Sequence, residues 1–279
     1  MKTLKIVFLL IIVTSLGYSQ SSSIKIEVLG EGDPIIFLPG FITPGSIWKE
    51  TVTHLTLDNE AHLVSYAGFN GIAPIEMPWY NTIKKELVTY IKNKKLTNVT
   101  IIGHSMGGNL ATDLAAELPD TVTKLIIVDA LACMREVMMP GIPASSLQYD
   151  SPYNQQVLAM EEAQFKQTAM MMAQNMTNTE DKVQTIVDWI LEADRKTYVY
   201  GYTDLLKLDL REVLDKVNAK TLILGASFPS LEMAKDNYEK QYSNLSDKTI
   251  TMVSNSKHFI MFDQPEWFYN QVNAFLTNE

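Results

Sequence analysis

The stretch that most limits how this chain can fold is Val99-Thr-Ile-Ile-Gly-His-Ser-Met-Gly-Gly-Asn-Leu110, where a β-branched run meets Gly103-His104-Ser105-Met106-Gly107 and then turns amphipathic and helical. It reads as strand, sharp turn, helix. A serine at the apex of such a turn is held in a strained backbone conformation, and glycines two residues to either side remove side chains that would keep the helix from packing close. The Ser105 hydroxyl then stands proud of a sheet, ready to attack. The pentapeptide by itself is a weak signal, and the strand before it and helix after it give it weight.

The flanking sequence supplies the rest of that sheet. Ile24 to Leu29 alternates apolar with polar, and Ile35-Ile-Phe-Leu38 is apolar on both faces, as a central parallel strand requires. Further strands are predicted at His62–Tyr66, Lys124–Asp129, Thr221–Leu224 and Lys248–Val253. Between them fall helical patterns. Ile47, Trp48, Val52 and Leu55 suggest a helix over Ser46–Leu57 with Trp48 in the core; Ile83, Leu87, Tyr90 and Ile91 share a face opposite Lys84, Lys85, Glu86 and Lys92; and Leu110, Leu114, Ala115 and Leu118 mark a helix that stops at Pro119. A final helix is expected from Pro265 to Leu276. Alternating strands and helices argue for an α/β fold with a mostly parallel sheet flanked by helices. The loop from Ala67 through Pro74 and Pro78 to Trp79 follows a strand's carboxyl end, where it either lines a pocket or forms irregular surface. From Leu131 to about Leu206 the strand pattern is absent, and Met134, Met138, Met139, Met160, Met170, Met171, Met172 and Met176 crowd into helical segments. These methionines either fill a helical core or form an adaptable wall for apolar ligands.

Size and charge narrow the function classes. A chain of 279 residues suits one large core or a core with a lid. Its net charge of −9, with no dense Lys/Arg cluster, argues against nucleic acid as a partner. Met1 to Gln20 carries Lys2 and Lys5, an apolar run from Ile6 to Val13 and then small or polar residues, the layout of a secretory signal peptide. An apolar stretch of about a dozen residues falls short of the roughly 20 needed to span a bilayer. Residues 1–19 are therefore expected to be removed, leaving 20–279 as a periplasmic or secreted protein without a stable membrane anchor. Cys133 is the only cysteine, so no intrachain disulfide can form, and a lone buried thiol is its simplest reading. Asn98-Val-Thr, Asn175-Met-Thr and Asn244-Leu-Ser match the glycosylation sequon, most simply by chance.

With its elbow and its order of strands, the chain resembles the α/β-hydrolase family from about Ile24 to Leu276. The resemblance implies a helical cap at approximately 131–206. It also implies roles for particular residues. Ser105 is the nucleophile. His258, in Ser254-Asn-Ser-Lys-His258-Phe-Ile-Met-Phe-Asp263-Gln-Pro265, matches the family's C-terminal pattern of a loop histidine after the last strand, and is the expected base. Pro39-Gly40-Phe41 stands where family members commonly carry His-Gly and then an oxyanion donor. The Phe41 and Met106 amides are the expected donors, although Pro39-Gly40 also reads as a simple turn. The acid is less regular. Many members carry it after the strand that here reads Thr221-Leu-Ile-Leu-Gly225-Ala-Ser-Phe228, and Phe228 occupies its position. Asp129, at the end of the preceding strand and on the rim of Ser105, is the expected acid; Asp263 is the alternative, although capping the last helix is a sufficient role for it.

These expectations describe a serine hydrolase acting on carboxylic esters of small or medium apolar acyl groups through an acyl-enzyme, with no cofactor and no metal required. A hydrolytic dehalogenase would need aspartate at position 105. The same scaffold also hosts amidases, haloperoxidases and acyltransferases. The phenylalanine at position 228 keeps a second class open, an exported binding protein with an incomplete catalytic set.

Overall fold

The computed structural model describes residues 22–278. The expected signal peptide at 1–19 lies outside the described residues. Seven strands form one sheet: β1 (Ile24–Leu29), β2 (Asp33–Leu38), β3 (Asn59–Tyr66), β4 (Val99–His104), β5 (Val122–Val128), β6 (Lys220–Ala226) and β7 (Lys248–Val253), ordered β1-β3-β2-β4-β5-β6-β7. Only β1 runs antiparallel to its neighbour, consistent with its alternating, half-exposed pattern. The continuous apolar runs occupy the centre, and β4 is buried along its whole length.

Strand order brings separated sequences to one edge. Leu38 pairs with Gly103, and His104 pairs with Val128, so β2, β4 and β5 end level with one another. The residues that follow them, Pro39-Gly40-Phe41, Ser105 and Asp129, therefore emerge side by side at the carboxyl edge, where open parallel sheets bind ligands.

Helices α1 (Lys49–Thr53), α2 (Trp79–Lys94) and α3 (Met106–Glu117) pack beside the first half of the sheet. The helix expected over Ser46–Leu57 is a 3-10 turn, Gly45–Trp48, followed by the single short α1. Gly45 explains the tight entry, because a side chain there would strike the Val64 carbonyl and the Ser65 hydroxyl. Trp48 is fully buried against Phe37 and Phe268. Helix α2 begins two residues earlier than Asn81, because the Asp204 carboxylate accepts from the Trp79 and Tyr80 N–H groups (2.7 and 3.3 Å), satisfying donors that a helix start leaves unpaired.

Between β5 and β6 the described residues form no strand. The segment carries α4 (Met134–Met138), a 3-10 turn (Ala144–Ser146), α5 (Pro152–Leu158), α6 (Glu162–Met176), α7 (Glu180–Glu192) and α8 (Arg195–Lys207). Its two ends are pinned together where the Leu210 N–H donates to the Ala132 carbonyl at 2.9 Å. The chain closes with α9 (Leu231–Gln241), α10 (Ile260–Asp263) and α11 (Pro265–Thr277).

Candidate active site

Ser105 sits between β4 and α3 at φ 54°, ψ −125°, a backbone conformation that most residues avoid. The flanking glycines make this turn possible. A Cβ on Gly103 would fall onto the Gly107 carbonyl, and one on Gly107 would fall onto the Leu38 carbonyl, so α3 could not approach the sheet. Gly40 packs on the other side of the serine; a Cβ there would lie 3.4 Å from the Ser105 Cβ and 2.9 Å from His104 Nδ1.

Asp129 also has positive φ (46°), a conformation aspartate tolerates better than most residues, and its N–H donates to the Leu224 carbonyl at 2.8 Å. Its carboxylate faces His258, with Oδ2 2.6 Å from the ring Nδ1. Oδ1 accepts from the Ala226 N–H at 2.9 Å and from the Tyr238 hydroxyl at 2.8 Å. Burial alone would raise the pKa of this carboxyl, but His258 and these two donors outweigh it and hold the group below the usual carboxylate range. Burial and the Asp129 charge keep the Tyr238 hydroxyl protonated well beyond its ordinary range, so it remains a donor.

His258 follows β7 in the loop expected for it. Its carbonyl accepts from His104 Nε2 at 2.9 Å, and the two rings lie 4.6 Å apart between centroids. That bond leaves His104 Nδ1 buried with no partner among the described residues. Burial drives the His104 pKa down to about 3, aided by His258, so this imidazole is neutral at ordinary pH. The remaining histidines lie elsewhere: His54 stacks on Tyr269, and His62 Nδ1 meets the Tyr90 hydroxyl at 2.8 Å.

Ser105 and His258 open onto one cavity of about 110 Å³, which Phe41 also lines. Its roof comes from the helical segment, through Met134, Met172, Met176, Tyr198 and Tyr202. Met106 opens α3, where a first-turn N–H lacks an intrahelical acceptor; Phe41 lies in the loop after β2, against Ser105 through Gly40. The methionine cluster is thus divided. Met160 and Met170 pack against the core, while Met171 and Met138 are exposed.

The structure overturns one expectation and decides one open alternative. Asp263 does not cap the final helix, whose start at Gln264 has no side-chain cap. Instead Oδ1 accepts from Thr177 Oγ1, Asn178 N and Thr179 Oγ1 (2.6, 2.9 and 2.9 Å), and Oδ2 from the Lys257 N–H at 2.8 Å. It ties the α6–α7 turn to the loop carrying His258. The loop from Ala67 to Trp79 does not line the Ser105 cavity. Phe69 and Trp79 pack edge-on against Phe41, and Pro74 to Met77 border a separate, larger surface cleft of about 1080 Å³.

Several contributors escaped the sequence reading. Tyr238 shares the buried face of α9 with Ala234, and only that inward spacing hinted at it. Tyr198, Tyr202 and Leu205 look like ordinary apolar-face residues of a helix until α8 is seen to cover Ser105.

Comparison with known proteins identifies the family and the fold. The model of the alpha/beta hydrolase family matches residues 35–271. The pimeloyl-[acyl-carrier protein] methyl ester esterase of Aeromonas hydrophila is 23% identical over 276 residues, covering 91% of this chain and 99% of that protein. Among solved structures, an esterase from Exiguobacterium antarcticum superposes with a TM-score of 0.75 at 20% identity, covering 91% of this chain and 96% of its own. A hydrolase from Oleispira antarctica reaches a TM-score of 0.76 at 14% identity, with 94% and 97% covered. At these identities the structural likeness speaks to the fold.

Proposed function

The chain belongs to the alpha/beta hydrolase family, and we propose that it is a serine hydrolase cleaving carboxylic esters with apolar acyl groups. The observation that carries this reading is the 2.6 Å contact between Asp129 Oδ2 and His258 Nδ1, made beside a cavity onto which Ser105 and His258 both open. The esterase relatives support an ester as substrate.

The chemistry follows from the arrangement. Asp129 holds the proton of His258 on Nδ1, which leaves Nε2 free to take the Ser105 proton as Oγ attacks the acyl carbon. The imidazolium so formed is stabilised by the Asp129 carboxylate. Negative charge developing on the carbonyl oxygen falls to the Phe41 and Met106 N–H groups, and such a donor is worth about 2.7–4 kcal/mol in the transition state. His258 then passes its proton to the departing alcohol. Water, activated by the same imidazole, attacks the acyl-enzyme and frees the acid and Ser105. The apolar roof of methionines and tyrosines excludes bulk water and strengthens each electrostatic contact below it.

Asp129, from the end of β5, offers His258 the carboxylate that Phe228 after β6 cannot, and this favours catalysis over a non-catalytic binding role. Replacing Ser105 by alanine is expected to abolish both p-nitrophenyl butyrate turnover and labelling by a fluorophosphonate. Labelling that persists in that variant contradicts the reading. The proposed function also includes export, with Met1–Ser19 removed; the amino-terminal mass of the purified protein from its native host checks this, and retention of Met1 contradicts it.

A further inference from the structure

The 110 Å³ cavity at Ser105 is small for a ligand site, since small-molecule sites usually measure about 300–1,000 Å³. A second cavity of about 430 Å³, open to solvent past the exposed Met138 and Tyr153, is bordered by α4, the 3-10 turn at Ala144–Ser146, α5 and α8. Its walls are mainly apolar, through Met138, Met139, Leu147, Tyr153 and Leu206. Among the described residues Tyr202 alone lines both cavities.

Tyr202 is held by packing and not by a strong hydrogen bond. Its hydroxyl reaches the Met138 sulfur at 3.7 Å, a weak acceptor on an exposed and flexible side chain, and its ring lies 5.9 Å from that of Phe41. No lysine or arginine lines either cavity among the described residues, so neither holds a permanent cation for a carboxylate.

We propose that the two cavities form one divided binding site for esters of uncharged alkyl chains, in which Tyr202 is the specificity-determining partition. A short acyl group fits on the Ser105 side. A long chain must displace the Tyr202 ring to enter the outer chamber, so the wild-type enzyme favours short chains. This inference rests on the ester-hydrolase reading for its substrate but not for its geometry.

The test compares kcat/KM for p-nitrophenyl octanoate and butyrate in the wild type, Tyr202→Ala, Tyr202→Trp and the double variant Tyr202→Ala/Ser146→Trp, in which the second change fills the outer chamber. The octanoate-to-butyrate ratio is expected to rise at least tenfold in Tyr202→Ala, to fall in Tyr202→Trp, and to return toward the wild-type value in the double variant. A ratio that stays within twofold across all four overturns the proposal. A second measurement is independent of turnover: calorimetric titration, in the Ser105→Ala background, of 2-nonanone and 2-pentanone, uncleavable ketones matching the two acyl chains. Tyr202→Ala should tighten 2-nonanone at least tenfold relative to 2-pentanone, and equal changes overturn the partition. If no ester is cleaved by any variant while ketone binding follows Tyr202, the hydrolase reading fails and the divided site stands.

Discussion

Asp129 shows how much one side chain can carry. It holds positive φ, receives the Ala226 N–H and the Tyr238 hydroxyl, and presents its other oxygen to His258. Asp129→Asn keeps the shape but can hold the wrong tautomer of His258. The expected result is a fall in kcat on the order of 10⁴ with little change in KM, measured on a short ester. A second residue-scale consequence concerns His104. Its folded pKa of about 3 lies below the unfolded value of 6.5, so between those values the unfolded chain carries the extra proton. The stability associated with neutral His104 is full above pH 6.5 and falls by about 1.4 kcal/mol per unit as pH drops toward 3. Denaturant titrations of the wild type and His104→Gln from pH 6.5 to 4 should differ in slope by about one proton, the variant being flatter. Parallel curves would contradict this.

At the scale of elements, the turn between β4 and α3 and the tie between α6–α7 and the His258 loop make separable demands. Gly107→Ala forces a methyl onto the Leu38 and Pro39 carbonyls. Overpacking of this kind costs about 1–3 kcal/mol, and it displaces Ser105, so both Tm and turnover should fall. Asp263→Ala strips acceptors from Thr177, Asn178, Thr179 and Lys257. Removing a charged hydrogen-bond partner costs about 1.5–3 kcal/mol, and limited proteolysis should then open the chain near 177–179 before the sheet core.

These elements also show what the sequence could reveal. The central strands were legible because β-branched runs in a parallel sheet are apolar on both faces, and β1 because its apolar and polar residues alternate. Ser105 and His258 were legible because each lies in a local pattern. Asp129 was recognisable as a rim carboxylate, but its contact with His258 depends on the adjacency of β5, β6 and β7, which no short window encodes. Asp263 was assigned a local capping role because its partners at Thr177–Thr179 lie some 85 residues away and meet it only when the helical segment folds over the sheet. The helix expected at 46–57 shortens to a 3-10 turn and the five-residue α1 for a related reason: the close contact of Gly45 with β3 outweighs the periodic pattern.

For the whole molecule, one sheet edge gathers the chemistry and an inserted helical layer covers it. Among the described residues no helix is long and apolar enough to cross a membrane. The full chain carries a net charge of −9, and the cavities at the site carry no lysine or arginine among the described residues. An anionic ester should therefore be repelled during approach, and its kcat/KM should rise with ionic strength while that of a neutral ester of equal length stays level. Stopped-flow or steady-state rates from 0.02 to 0.5 M salt, about the range over which the Debye length contracts from beyond 20 Å to under 5 Å, check this.

The central claim is that Ser105 becomes acylated with help from His258 and Asp129. Intact-protein mass spectrometry after rapid mixing with p-nitrophenyl butyrate measures it directly. One butyryl adduct is expected on Ser105, none in Ser105→Ala, and slowed formation in both His258→Ala and Asp129→Asn. An adduct on another residue, or acylation in Asp129→Asn at the wild-type rate, would contradict it.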